Sequence, residues 1–352
     1  MSGMDIAAFC RAIPKVELHV HLLGAIRIET LREMALRQGA GYTEAEVDDL
    51  ARRDAKPKGV LHILRALEQR ILRGPEDLHR IAYEYLEDAS AQGVRHAEIF
   101  WNPTGTARDT GISYRDGADA ILAAFDDAKH DHGVSALLIP SIDREGTPEE
   151  ATQMVAWMRS HRRDRIIGLG LDYRETDRPP EMFWKAYREA KRAGFRLTAH
   201  AGEFGCHWRN VETAIDLLEV ERIDHGYTVL DNPALARRCA ERGIVFTVVP
   251  TNSYYLRTLP PDRWAQDHPI RRMPQVGLLV HPNTDDPPLH RIDPAGCWRM
   301  MAEDFGFGLD DLRRFMLNGI VGAFLPEDDK RGLATTFVAE FDRLQAGREQ
   351  SP

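Results

Sequence analysis

Cysteine is scarce in this sequence. The chain of 352 residues contains four cysteines, at positions 10, 206, 239 and 297, and no two of them form a C-x-x-C pair. Scattered cysteines in a chain of this length favour reduced thiols and a cytoplasmic location over a disulfide framework. The sequence also lacks an apolar stretch of membrane-spanning length, and its N-terminus has no cationic start followed by a long apolar run. We therefore expect neither a membrane partner nor a signal peptide.

An excess of positive charge is missing as well. The chain carries 46 lysine and arginine residues against 55 aspartate and glutamate residues, which gives a formal net charge of −9. Nucleic-acid polymers need a basic surface, so this balance argues against them as partners, although it does not exclude a nucleoside without phosphate. Hydrophobic residues make up 43% of the chain and charged residues 29%, a composition that supports a sizeable core and disfavours disorder.

Short apolar runs alternate with amphipathic segments along most of the chain. Helical patterns occupy 148–161, 180–194 and 210–220, and Thr147 followed by Pro148 is typical of a helix start. Buried strands joined by helices predict a parallel sheet, and eight strands close a (β/α)8 barrel of the TIM type. We therefore predict an α/β barrel, with an open doubly wound sheet as the alternative. The eight strand candidates are 16–22, 94–101, 134–142, 166–173, 195–201, 221–226, 244–249 and 278–283.

One connection is longer than the others, since about seventy residues separate the first two strand candidates. This connection contains helical patterns at 29–39 and 58–72, so we predict a helical insertion at about 24–93 over the barrel mouth. We expect the polar tail at about 326–352 to be peripheral. No repeat or low-complexity linker divides the chain, which indicates a single domain over residues 1–352.

Polar residues cluster where the predicted strands end, and this end of a barrel carries the active site. His19 and His21 point the same way, because residues i and i+2 of a strand share a face. The other polar residues at these strand ends are His200, Glu203, Asp224, His225, Asp285 and Asp286.

Histidines and carboxylates at one barrel mouth predict a metal site. Three neutral imidazoles and one carboxylate suit Zn²⁺, with a position left for a water whose pKa the metal lowers to about 7. Related barrel hydrolases with two metals bridge them by a modified lysine or a carboxylate at strand 4, and the fourth strand candidate has no lysine. We therefore expect one Zn²⁺ per chain, while Asp172 and Glu175 stay open as groups for a second metal.

Four sequence blocks, KVELHVHLLGAI, TAHAGE, RIDHGY and NTDDP, resemble the adenosine deaminase family of the amidohydrolase superfamily. The resemblance extends from Pro14 to about Leu325. It implies a (β/α)8 barrel with one Zn²⁺ that hydrolytically removes the 6-amino group of adenine-type substrates. Zinc deaminases of the cytidine type are excluded, because they need a C-x-x-C pair. The zinc ligands that the resemblance implies are His19, His21, His200 and Asp285.

The remaining polar groups fit the same reaction. Attack at C6 of a purine places charge on N1, and a protonated Glu203 that faces N1 is our candidate general acid. We expect His225 to orient the attacking water or take its proton, and Asp285 to bind the metal and hold that water. We expect Asp286 to pair with the purine N7 if one of the two groups is protonated. The alternative roles are a salt-bridged acid at the barrel rim for Glu203 and a contact with a metal ligand for Asp286.

Leu23 departs from the family pattern. Adenosine deaminases usually carry Asp at this position, which holds the ribose 5′-hydroxyl, and adenine deaminases often carry Glu. A hydrogen bond to a charged group contributes roughly 1.5–3 kcal/mol, so Leu23 favours a substrate without a free 5′-hydroxyl. Packing against the helical insertion is the alternative explanation.

The segment after the fourth strand departs as well. Adenosine deaminases place a glycine near Glu175, and the run LDYRETDRPP is more similar to adenine deaminases, whereas PTNSYYL, HGY and NTDDP are closer to nucleoside enzymes. This mixture fits a separate subgroup of the family, and one candidate is the bacterial relatives that deaminate 6-amino-6-deoxyfutalosine, whose 5′ carbon carries an aryl ketone with a carboxylate. The candidates to receive the aryl group are Leu23, Trp101, Tyr173, Tyr254 and Tyr255, and those for the carboxylate are Arg27, Arg65, Arg70 and Arg174.

We therefore predict a zinc-dependent deaminase of an adenine-type nucleoside with a modified 5′ end, whose small-molecule partner is an aminopurine. A deaminase of adenine or another free base is the alternative within this class. A phosphoesterase or amide hydrolase with two metals and a non-catalytic nucleoside-binding relative are the alternatives outside it, and a homo-oligomer is left open. The residues expected to contact the substrate are Leu23, Trp101, Tyr173, Glu175, Gly202 and Asp286.

Overall fold

The computed structural model describes residues 4–37, 40–51 and 60–349. Its eight strands are all parallel and lie side by side in the order of the chain. A bridge between Val20 and Asp285 links the first strand to the segment after the last one, as expected for a TIM-type (β/α)8 barrel. Every predicted strand is confirmed, with ends within two residues of the prediction. The strands are β1 Lys15–His21, β2 Val94–Trp101, β3 Ser135–Asp143, β4 Gly168–Asp172, β5 Arg196–Ala201, β6 Arg222–His225, β7 Val245–Val248 and β8 Leu279–Pro282.

Helices connect the strands and cover the outside of the barrel. The helix predicted after Thr147 is confirmed: the Thr147 hydroxyl accepts the N–H of Glu150, whose carboxylate accepts the N–H of Thr147. The α-helices are α1 Ile6–Ala12, α2 Ile28–Leu36, α3 Glu44–Ala51, α4 Leu61–Ala66, α5 Pro75–Ala91, α6 Pro103–Thr110, α7 Tyr114–His132, α8 Pro148–Ser160, α9 Trp184–Arg192, α10 Arg209–Asp216, α11 Pro233–Glu241, α12 Ser253–Thr258, α13 Trp264–Asp267, α14 Pro287–His290, α15 Pro294–Glu303, α16 Leu309–Gly322 and α17 Glu327–Glu349. Short 3₁₀ turns lie at Leu23–Ala25, Pro180–Phe183, Tyr227–Asp231, Pro269–Arg271 and Pro274–Val276.

The barrel interior is filled below the strand ends. Arg222 donates to the carboxylate of Glu98 at 2.6 Å and to the carbonyl oxygen of Leu18 at 3.0 Å, and both ionic side chains are fully buried. Further hydrogen bonds are needed to offset the desolvation of a buried ion pair, and here the backbone supplies three: the carbonyl oxygens of Leu18 and Gly322 accept from Arg222, and the N–H of Phe324 donates to Glu98. The ring of Phe100 stacks on that of the strand-end residue His21, with ring centroids 5.3 Å apart. The strand ends therefore stand on a packed base.

The connection between β1 and β2 is helical, as predicted. It contains α2 to α5, and a π-helical turn at Leu67–Ile71 follows α4 directly. Of the predicted segments 29–39 and 58–72, residues 38, 39, 58 and 59 lie outside the described residues. The exact bounds of an insertion at 24–93 stay a prediction.

The C-terminal segment forms the long helix α17. Phe337 and Phe341 on this helix are buried, and the ring of Phe341 lies edge-on to that of Phe9, 5.2 Å away. One face of α17 therefore packs on α1, while residues 350–352 of the predicted tail lie outside the described residues. All four cysteines are free. Among the described residues, no helix combines the length and the apolar character needed to cross a membrane.

Candidate metal centre and substrate cavity

Three histidines and one aspartate converge at the C-terminal ends of the strands. β1 carries His19 and His21, β5 carries His200, and Asp285 follows β8. Nε2 of His200 lies 3.0 Å from Nε2 of His19 and 3.1 Å from Nε2 of His21. Oδ1 of Asp285 lies 3.2 Å from Nε2 of His21 and 3.6 Å from Nε2 of His19. All four side chains are buried, and their donor atoms surround one small volume.

Carboxylates stand behind two of these imidazoles. Nδ1 of His21 lies 3.3 Å from Oδ2 of Asp172, whose other oxygen accepts from the Asn102 amide at 2.7 Å. Nδ1 of His200 lies 3.5 Å from Oδ2 of Asp224. A carboxylate in this position fixes the ring orientation and leaves the Nε2 lone pair for a metal. Asp172, which the sequence left open as a ligand of a second metal, thus lies behind a histidine of the first site.

The backbone orients His19, the third imidazole of the group. Its Nδ1 donates to the carbonyl oxygen of Thr247 at 3.0 Å, so its Nε2 also turns toward the other ligands. Burial, together with the neighbouring His200, lowers the pKa of His19 to about 4, which favours the neutral form that binds metals. Three oriented imidazoles and one carboxylate are a donor set that fits Zn²⁺ with one coordination position to spare.

The backbone of Asp285 is tied to β1. Its N–H donates to the carbonyl oxygen of His19 at 3.0 Å, and its carbonyl oxygen accepts the N–H of His21 at 2.9 Å. Asp285 has a φ of 66°, in the left-handed region that residues other than glycine rarely adopt. The barrel closure therefore holds the carboxylate beside the two histidines of the neighbouring strand.

Glu203 and His225 lie beside the metal ligands. Oε2 of Glu203 is 3.6 Å from Nε2 of His225, and Oε1 accepts from the side-chain amide of Asn252 at 3.3 Å. Burial raises the pKa of Glu203 well above its ordinary value, and the charge of Asp285 raises it further. Burial also lowers the pKa of His225 well below its ordinary value. A protonated carboxyl and a neutral imidazole are the forms that donate and accept a proton.

Asp285 and its neighbour Asp286 have opposite protonation preferences. Burial and the charge of Asp285 raise the pKa of Asp286 well above its usual range. Burial would raise the pKa of Asp285 too, but the hydrogen bond with His21 and the nearby imidazoles outweigh it and hold that pKa well below its usual range. Asp286 fits closely against Gly24, where an added Cβ would lie 1.6 Å from its Oδ1. The pair thus presents one anion and one hydrogen-bond donor.

A cavity of about 280 Å³ opens above these groups. Its inner wall carries the candidate metal ligands and proton-carrying side chains, and its outer wall comes from loops and from the helices α4 and α12. A cavity that combines apolar walls with a few convergent polar groups is typical of a small-molecule site. The sequence-predicted site residues that line it are His21, Tyr173, His200, Glu203, His225, Asp285 and Asp286.

Leu23 and Trp101, two predicted substrate contacts, do not line this cavity. Leu23 lies in the 3₁₀ turn after β1, is 6% exposed and belongs to the hydrophobic core. The indole of Trp101 donates to the Thr106 hydroxyl at 3.1 Å and stacks on Tyr114, with ring centroids 5.8 Å apart. Both side chains therefore pack within the protein. Of the four aromatic residues proposed for an aryl group, Tyr173 alone lines the cavity.

Glu175 and Gly202, two further predicted substrate contacts, bind each other. The N–H of Gly202 donates to Oε1 of Glu175 at 2.8 Å, and Glu175 is 2% exposed. The arginine candidates also differ in position. Arg27, Arg65 and Arg70 each contact a protein oxygen at 2.6 Å, whereas Arg174 lines the cavity.

The roof of the cavity comes from α4, within the helical connection that the sequence placed over the barrel mouth, but the sequence did not identify the residues that line it. Leu61 and Leu64 on α4 are three residues apart and share a helix face, a spacing that predicts an apolar stripe but not what it covers. His290 follows the NTDDP block by one helical turn, and its Nε2 lies 3.9 Å from Oδ2 of Asp286. That proximity in sequence was a signal that could have identified it. The lining residues that the sequence did not single out for the site are Val60, Leu61, His62, Leu64, Phe204, Ser253, Arg257 and His290.

Comparison with known sequences identifies relatives over almost the whole chain. Residues 14–340 match the sequence model of the adenosine deaminase family. An adenine deaminase from Cupriavidus necator is 33% identical over 350 residues, which cover 99% of this chain and 96% of the relative. An adenine deaminase from Streptomyces coelicolor is 34% identical over 333 residues, which cover 94% of this chain and 95% of the relative.

Solved structures give the same result. An amidohydrolase from Burkholderia ambifaria, crystallised with bound Zn, is 59% identical, with a TM-score of 0.96 over 97% of this chain and 94% of its own. An adenine deaminase from Arthrobacter aurescens is 28% identical, with a TM-score of 0.84 over 93% of this chain and 99% of its own. Together with the barrel and its three-histidine, one-aspartate site, these matches show that the chain belongs to the adenosine deaminase family of metal-dependent hydrolases, which act on C–N bonds.

Proposed function

We propose that this protein is a zinc-dependent deaminase that removes the 6-amino group of an adenine-type purine, with free adenine as the preferred substrate. The observation that carries the proposal is the set of four metal ligands beside Glu203 in one cavity. Hydrolytic deamination consumes one water and releases ammonia, so the site needs a proton donor for the ring and a proton acceptor. Glu203 and His225 supply both forms.

The proposed substrate is a free base, whereas the sequence favoured a nucleoside with a modified 5′ end. The relatives that are 33% and 34% identical over nearly the whole chain are adenine deaminases, which supports the free-base alternative. Leu23, on which the nucleoside interpretation depended, lies in the core and outside the cavity lining. The absence of a carboxylate at this position therefore says little about a 5′ group, and the packing explanation gains support.

Each polar group has a separate task in the proposed reaction. Bound Zn²⁺ would supply a Lewis acid and a water of lowered pKa. Protonated Glu203 donates to the ring nitrogen N1, where electron density builds up, and neutral His225 accepts a proton in the same cavity. Protonated Asp286 donates to N7 and orients the purine. The residues that would hold the metal are His19, His21, His200 and Asp285.

A panel of purines tests this proposal. Zinc-loaded protein is incubated with adenine, adenosine, 5′-deoxyadenosine, methylthioadenosine and 6-amino-6-deoxyfutalosine, and ammonia release is measured. We expect kcat/KM for adenine to exceed that of every nucleoside by at least about tenfold, as selectivity for the free base requires. A faster nucleoside would overturn the free-base assignment. No ammonia from any of the five compounds would reject the deaminase and favour a non-catalytic nucleoside-binding relative.

The number of metal ions per chain distinguishes a further alternative. We expect one Zn²⁺ per chain, whereas two would favour a phosphoesterase or an amide hydrolase. Among the described residues, a second group that could hold a cation consists of Asp285, Asp286 and His290. It shares Asp285 with the first group, and the raised pKa of Asp286, caused by burial and by Asp285, disfavours the ionised form that a second cation would need.

A further inference from the structure

Glu175 is a buried carboxylate outside the cavity lining, and three N–H groups of the protein donate hydrogen bonds to it. Oε1 accepts the N–H of Gly202 at 2.8 Å, and Oε2 accepts the N–H of Glu203 at 3.0 Å. Oε1 also accepts from the side-chain amide of Asn210 on α10 at 2.8 Å. Three N–H donors around one carboxylate satisfy it and hold it in one orientation. Glu175 therefore acts as a clamp, which means that its carboxylate holds the backbone of the segment after β5 in place.

The two clamped residues form the turn that joins β5 to the loop beyond it. Gly202 has a φ of 72°, and an added Cβ would lie 2.6 Å from the Thr228 hydroxyl, so no larger residue fits there. A glycine turn has no side chain of its own to hold it in place. Buried backbone N–H groups need acceptors, and Glu175 accepts from two in succession. The direction of the chain between the ligand His200 and Glu203 thus depends on a side chain from the neighbouring β4 loop.

We propose that Glu175 is a positioning residue for deamination, which acts through Glu203 and not by contact with the substrate. This inference rests on the proposed function, in which Glu203 donates a proton to the purine ring. With its own N–H and that of Gly202 bound to one carboxylate, Glu203 has a fixed backbone, and its side chain meets Asn252 and His225. Proton transfer needs the donor within hydrogen-bond reach, so a displacement of the turn reduces turnover more than it reduces binding.

Glu175→Gln is the first test. The amide keeps the shape of the side chain and one acceptor oxygen, but its NH₂ group would face one of the two backbone N–H donors. We expect kcat with adenine to fall about 10- to 100-fold, as for a misplaced catalytic group. Because Glu175 does not line the cavity, KM and the zinc content should stay within about twofold of the wild type. A rise in KM with an unchanged kcat would reject the positioning role and return Glu175 to substrate binding.

A double variant shows whether the effect passes through Glu203. In protein that already carries Glu203→Gln, adding Glu175→Gln should lower the remaining kcat by less than about twofold, because the group that Glu175 positions is gone. Full additivity of the two losses would overturn the proposal, since it would mean that Glu175 acts independently of Glu203.

Asn210→Ala is the matched control. It removes the third donor to Glu175 but leaves both backbone hydrogen bonds, so kcat should fall by less than about threefold. A loss as large as that of Glu175→Gln would show that the backbone clamp is not the cause. If Glu175→Gln does not accumulate as folded zinc protein, Glu175→Asp carries the test, since it keeps the charge but shortens the reach; we expect the same loss of kcat at unchanged KM.

The outcomes for Glu175 and for the proposed function are separable. If the wild-type protein releases no ammonia from any purine, the proposed function fails. If Glu203→Gln loses turnover while Glu175→Gln keeps it, the role of Glu175 alone is rejected.

Discussion

The floor and the roof of the cavity are built in different ways. The floor consists of strand ends: His19 and His200 are 0% and 3% exposed, and the backbone of Asp285 is hydrogen-bonded to β1. The roof consists of side chains on and next to α4, from the long connection between β1 and β2, where Leu61 is half-buried and His62 is exposed. The barrel ladder thus fixes the floor, whereas the roof belongs to the connection between β1 and β2. The strand ends therefore place the groups for the reaction, while α4 contributes to the space for the substrate.

The largest effect should come from the removal of a floor ligand. In His200→Ala, three of the four donors remain, and we expect the loss of bound zinc and at least about a 10³-fold loss of kcat. Metal analysis of the purified protein and ammonia release measure the two effects. His79→Ala is the control, because His79 pairs with Asp127 on the outside of the barrel and should keep its zinc. Zinc bound at wild-type affinity in His200→Ala would contradict the ligand assignment.

The second effect separates proton transfer from metal binding within the floor. Glu203→Gln should keep its zinc and lose about 10²- to 10⁴-fold in kcat, since the amide has no acidic proton to give. Exposed Glu149 on α8 offers a control of the same chemical type, and Glu149→Gln should turn over normally. Wild-type turnover in Glu203→Gln would remove Glu203 from its role as the general acid.

The distinction between floor and roof also separates what the sequence predicts from what it does not. β1 and β5 could be predicted, because apolar runs mark them and because His19, His21 and His200 stand where those runs end. Strand periodicity turns the neighbouring side chains of β1 toward one point, so a local pattern carries the geometry of the floor.

The other contacts depend on distances that no local pattern encodes. Glu175 and Gly202 were expected to touch the substrate, yet they bind each other across two loops, 27 residues apart in sequence. Trp101 ends β2, but its indole turns to Thr106 on α6. A residue at a strand end can face the cavity or the helix layer, and packing between elements decides which.

The third effect tests the roof. Leu64→Ala should raise KM for adenine by about 3- to 10-fold and leave kcat within about twofold, because Leu64 lines the cavity and we expect it to contact the purine without serving the chemical step. Steady-state kinetics with adenine measure both parameters. Leu36→Ala on α2 is the control, since Leu36 is 46% exposed and lies outside the cavity lining. A fall in kcat as large as that of Glu203→Gln would mean that the roof takes part in catalysis, and the distinction between floor and roof would not hold.

The smallest effect on substrate choice is expected at Leu23, beside the floor. Leu23 is buried in the core and precedes Gly24, which lies against Asp286. Leu23→Asp should lower the free energy of unfolding by several kcal/mol, because it places a carboxyl group among apolar side chains, and Leu23→Ala should lower it through the cavity that it leaves. In both variants the ratio of kcat/KM for adenosine to that for adenine should stay within about twofold of the wild type, since position 23 does not line the cavity. Thermal unfolding measures the change in stability, and steady-state kinetics with adenosine and adenine measure the ratio of the kcat/KM values. A selective gain on adenosine in Leu23→Asp, absent in Leu23→Ala, would show that a side chain at this position reaches the sugar. Substrate choice would then be divided between the turn after β1 and the inserted helix.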